Sequence, residues 1–115
     1  MPKKPYIDIL LPYKELFTPY NAGAVSTVVS DFTYHTTLEC EICIYGRHIP
    51  SNTFSNLSYI PLKPNLPLLF SHNIGLAHSY IAHLKRRQNL PSLIEVHGRC
   101  KVARTIANKC KKLKV

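Results

Sequence analysis

Tyr6-Ile7-Asp8-Ile9-Leu10-Leu11 is a compact apolar run, rich in β-branched and aromatic side chains and closed by Pro12. It reads as a first strand, largely buried. Beyond it the character of the chain changes. Residues 12–22 hold Pro12, Pro19, Asn21 and Ala22, which is loop chemistry. From Gly23 to about Thr36, Val25, Val28, Val29 and Phe32 recur at helical spacing, with Ser26, Thr27, Ser30 and Asp31 opposite. The β-branched content leaves this predicted helix dependent on packing rather than on its own preference.

Further along, Glu39 to Tyr45 reads as a second strand closed by Gly46, and Asn56 to Leu62 as a third, stopped by Pro61 and the Pro64 to Pro67 stretch. Ser71 to Gln88 is the clearest helix. Ile74, Ala77, Ile81 and Leu84 form one stripe, and Lys85, Arg86 and Arg87 sit where the macrodipole favours cations. Asn89 and Pro91 end it. Ser92 to His97 is a fourth strand, and a helix of about a dozen residues from Gly98 carries Val102, Ile106 and Cys110 on one face. Leu113-Lys114-Val115 has the look of a strand beginning. Such alternation predicts an α/β fold, a Rossmann-like and mostly parallel sheet with helices on both faces. Residues 1–115 then form a single domain, apparently truncated as another strand opens.

Charge divides the chain. Residues 1–60 sum to −1, whereas residues 61–115 hold eleven Lys or Arg against Glu95 alone and sum to +10. Such a field draws phosphates, nucleic acids or anionic lipid headgroups without choosing among them. No segment approaches the ~20 apolar residues of a membrane span. Lys3 and Lys4 ahead of Tyr6–Leu11 imitate a signal peptide, but Asp8 and Pro12 interrupt the apolar region, so a cytoplasmic location is expected.

In an open parallel sheet, ligands bind beyond the carboxyl ends of the strands. The loop from Pro12 to Gly23 falls there, and Gly23 opens a helix whose free N–H groups suit a phosphate or carboxylate. A helix-start glycine without a ligand fits equally, because G-x-G-x-x-G and the Gly-Lys-Ser/Thr phosphate loop are both absent. His97 ends the fourth strand in Glu95-Val96-His97-Gly98-Arg99. There the imidazole could bond a sugar hydroxyl or phosphate beside an Arg99 anion clamp, but local spacing alone favours a satisfied polar strand end with Arg99 on a solvated helix turn. Cys40 and Cys43 form a C-x-x-C within a strand, where a separation of three sends the side chains to opposite faces, and Cys100 and Cys110 match no zinc spacing. His78 and His83 are five apart, which misses the helical facing a shared metal needs. No catalytic set can be assembled, and neither metal nor cofactor is expected.

Taken in order, three segments resemble bacterial family 4 glycosyltransferases. Tyr6 to Ser26, with Pro12-Tyr13-Lys14-Glu15-Leu16-Phe17-Thr18-Pro19 and Gly23-Ala24-Val25-Ser26, is similar to the family's first strand and its "PPKEGFSP…GAGAVS" loop. Ile44-Tyr45-Gly46-Arg47 and Ile94-Glu95-Val96-His97-Gly98-Arg99 resemble "VYGR" and "IEVHNRP". The resemblance implies the N-terminal, acceptor-side domain of a GT-B enzyme, whose separate C-terminal domain holds the nucleotide-sugar. It implies metal-independent transfer to a glycan or glycolipid acceptor, in polysaccharide or lipopolysaccharide biosynthesis. Substrate contacts would fall at Asn21, Ala22, Gly23, Arg47, His97 and Arg99. Without the donor-binding half, the chain is expected to be inactive by itself. The competing expectation is a non-catalytic basic α/β module that binds anionic lipid or nucleic acid. Peripheral contact with the inner face of a membrane suits the basic half, and no specific nucleic acid is expected, because no aromatic residue occurs after Tyr80.

Overall fold

A computed structural model describes residues 6–19, 23–36, 40–49, 57–63, 72–98 and 100–115. The elements run β1 (Tyr6–Leu10), α1 (Ala24–His35), β2 (Glu41–Arg47), β3 (Ser58–Leu62), α2 (His72–Arg86), β4 (Leu93–Val96) and α3 (Cys100–Lys109). All four strands are parallel, in the order β3-β2-β1-β4. The fold is therefore Rossmann-like α/β. Its sheet reverses direction of growth between β1 and β4, the switch point at which such folds open a crevice.

Alternation along β1 sorts the core into two layers. Ile9 and Leu11 join Phe17, Val29 and Ile44 on the α1 side. Leu10 joins Tyr45, Leu76, Tyr80, Ile94, Val102 and Ile106 on the side covered by α2 and α3. An apolar run buried on both faces is what a central parallel strand requires.

Several expected boundaries move. Gly46 lies inside β2, paired with Pro61, because Tyr59 covers it: a Cβ on residue 46 would come within 2.5 Å of the Tyr59 hydroxyl. Pro61 does not stop β3, since β3 is an edge strand, where a missing N–H is tolerated. The Pro64–Pro67 stretch lies outside the described residues. Helix α1 is rotated from its expected facing. Ser26, Val29 and Ser30 are buried, whereas Val28 is 64% and Phe32 49% exposed. The small hydroxyls can turn inward because each finds an acceptor: Ser26 donates to Glu15 of the preceding loop at 2.8 Å, and Ser30 to the Thr27 carbonyl one turn back at 2.9 Å. Leu113–Val115 form no strand. The Ile94 N–H donates to the Lys114 carbonyl at 2.7 Å, which fixes the tail to the outer edge of β4.

Candidate functional site

At the carboxyl edge, Arg47 ends β2 with its side chain on the α2 side, the side of Tyr45 two residues earlier. Its guanidinium lies 4.5 Å from the centroid of the Tyr13 ring, in the loop after β1. Tyr13 in turn stacks on His72, the first residue of α2, with centroids 4.2 Å apart and planes 14° apart. Asn73 accepts the Tyr13 backbone N–H through Oδ1 at 2.7 Å, which ties this loop to α2. The Arg47 Nε–H is buried and has no protein acceptor among the described residues. An unpaired charged donor at this depth is costly unless something accepts from it.

His97, just past β4, lies on the opposite face. Its Nε2 is 3.0 Å from Glu95 Oε1, and both residues border a small cavity of about 130 Å³ with Ile9, Val28, Val29 and Phe32. Arg47 and His97 thus share an edge but not a cluster. Asn21, Ala22 and Arg99 lie outside the described residues.

Gly23 does open α1, as its N-cap, but the position there is taken by the chain's own anion. Glu15 Oε2 accepts from the Ser26 N–H at 3.1 Å and from Ser26 Oγ at 2.8 Å. A Cβ on residue 23 would lie 2.6 and 2.7 Å from the two carboxylate oxygens, so glycine is what admits Glu15 to the helix start. A carboxylate in this place satisfies orphan N–H groups and meets the positive end of the helix dipole. Replacing Glu15 with alanine is expected to cost about 1 kcal/mol, as for a lost N-cap. Gly23→Ala, which pushes the carboxylate away, should add little in the double variant; urea denaturation of both singles and the double checks this.

Sequence reasoning missed a second polar cluster, on the α2 side and nearer the amino edge. Asp8, fully buried in the centre of β1, accepts from the Tyr80 hydroxyl at 2.5 Å and from Arg87 Nη1 through the same oxygen. Arg87 also donates to the Tyr45 oxygen at 3.2 Å, which lies 3.2 Å from His83 Nε2. Burial, and then the Asp8 charge, push both tyrosine hydroxyls well above their ordinary range, so both stay protonated donors. Burial, with Arg87 and Arg86 nearby, lowers His83 and favours its neutral form. For Arg87, burial opposes the charge, but bonding to Asp8 outweighs it and raises the group. Arg87, expected beside Lys85 and Arg86 as a dipole-end cation, is therefore a clasp between α2 and β1. The available signal was Asp8 itself, a charge within an apolar strand that had to find a partner.

Burial raises the Cys43 thiol, away from reactive thiolate chemistry. All four cysteines are free, and the described residues hold no group of three or more metal-ligating side chains. Among the described residues, no helix is long and apolar enough to cross a membrane. No protein-family model matches the chain, and no curated protein or solved structure matches it.

Proposed function

We propose that this chain is the acceptor-side part of a glycosyltransferase, with the carboxyl edge around Arg47 and Tyr13 as the contact surface for a glycan or phosphorylated sugar. The observation that carries this reading is Arg47. It comes from the Tyr45-Gly46-Arg47 segment that resembles the family, it ends a strand at the edge where parallel sheets bind ligands, and its buried Nε–H has no acceptor among the described residues. Beside it, the Tyr13–His72 stack fixes the guanidinium, so little ordering entropy remains to be lost on binding. An arginine held in this way suits a phosphate oxygen or paired sugar hydroxyls. His97 and Glu95 supply further hydrogen-bonding groups across the sheet edge. Nucleotide-sugar transfer itself needs a second half that holds the donor in line with the acceptor.

Titration of the 15N-labelled chain with sugar phosphates and short oligosaccharides tests this reading. Shifts are expected at Tyr13, Arg47 and their neighbours, and Arg47→Ala should weaken binding by roughly tenfold or more, the cost of one charge-assisted hydrogen bond. Unchanged spectra across the panel would sink the proposal.

A further inference from the structure

We infer that the groove between the C-terminal ends of α2 and α3 docks the chain onto the surface of an anionic lipid bilayer. The groove is independent of the carboxyl-edge site, because both helices run back from that edge and it opens at the opposite, amino edge of the sheet. Its volume is about 570 Å³. Ile81, Leu84 and Leu113 contribute an apolar lining, and Leu90 lies on it while remaining 53% exposed. Around them stand Lys85, Lys109, Lys111 and Lys112, all exposed, and among the described residues no acidic side chain lines the groove.

Helix-end electrostatics accounts for part of this. Lys85 and Lys109 lie in the last turns of α2 and α3, where cations meet the negative dipole end. It does not account for Lys111, Lys112 and Lys114, which lie beyond α3, nor for an exposed leucine in their midst. Arg87 also lines the groove but is already committed to Asp8, so the free charge belongs to the lysines. Exposed apolar side chains ringed by cations are what an anionic bilayer rewards, with the apolar groups entering the interface and the cations meeting headgroups. A nucleic acid would be served better by aromatic faces for stacking, and none occurs after Tyr80.

The test is co-sedimentation of the chain with vesicles of phosphatidylcholine alone and of phosphatidylcholine with one quarter phosphatidylglycerol, in 100 mM salt. Binding is expected only to the second. The K109E/K111E/K112E variant should lose about a hundredfold or more in partitioning, and L90S about fivefold. K14E/K63E/K101E changes net charge equally at the carboxyl edge and should retain most of the binding. If K109E/K111E/K112E fails the circular-dichroism check for folding, the glutamine triple K109Q/K111Q/K112Q replaces it, with a smaller loss expected. Four results would each overturn the inference. They are equal binding to neutral vesicles, equal loss in the two charge-reversed triples, full binding by L90S, and tighter binding of random single-stranded RNA than of vesicles at the same salt.

Discussion

Replacing Asp8 with alanine is expected to lower the thermal unfolding midpoint by roughly 10–20 °C. The carboxylate is fully buried and is the shared acceptor for Tyr80 and Arg87. Its removal leaves a guanidinium, 15% exposed, facing a low-dielectric interior and strands a buried phenol. Breaking a buried pair by deleting one member costs about 3–5 kcal/mol, and in a domain of this size each kcal/mol is worth about 4 °C. The pair need not be a large net stabiliser for this to hold. What the variant measures is the charge left behind. Replacing all three polar partners with apolar groups, as in Asp8→Val with Tyr80→Phe and Arg87→Met, should therefore recover most of the loss. Calorimetry on the single and triple variants decides the matter. A shift of under 3 °C for Asp8→Ala would mean that Asp8 does not hold Arg87 in solution.

Phe17→Ala should cost about 3–5 kcal/mol, as much as truncating an aromatic residue within a strand or helix. Phe17 belongs to the loop after β1, yet it is fully buried among Ile9, Leu11, Val29 and Ile44. Its ring stacks on Tyr59 with centroids 5.4 Å apart and planes 5° apart. Tyr59 in turn donates its hydroxyl to the Arg47 carbonyl at 2.6 Å. The cavity left by alanine thus loosens the support of the strand end that carries Arg47. Urea denaturation should show the stability loss, and amide exchange should quicken at Arg47 and Tyr59 more than at Ile94, which belongs to the other core layer. Phe17→Leu, which keeps most of the volume, should restore the larger share of both.

The layered parallel sheet was legible in the sequence because alternating periods of two and 3.6 announce it, and β1, α2 and β4 stand close to where their patterns place them. The facing of α1 was not legible. Val25, Val28, Val29 and Phe32 make the better apolar stripe, but serines whose hydroxyls find acceptors, Ser26 in Glu15 and Ser30 within the helix, can pack against the sheet and leave Val28 and Phe32 outside. Of the candidate site, Gly23 was read from its place at a helix start, and Arg47 came only from the Ile44–Arg47 resemblance. Their contacts were not. Tyr13 with His72, Glu15 with Ser26 and Asp8 with Arg87 are tertiary pairings, the last spanning 79 positions, and no short-range spacing encodes them. Pro12 and Pro19 mark a loop, but a fully buried phenylalanine between them is a fact of packing, invisible to turn chemistry.

The sheet order has a consequence for biosynthesis. β1 emerges from the ribosome ahead of β2, β3 and β4, yet its Ile7 pairs with both Ile42 and Leu93. One flank closes early, and the other stays bare until translation passes Val96. During that interval a nascent chain carries an apolar strand edge and, until Arg87 emerges, an unmatched Asp8 carboxylate, a species that chaperones recognise and that self-association exploits. Maturation is gated by the most distant partner, which places this small domain among slower folders for its length.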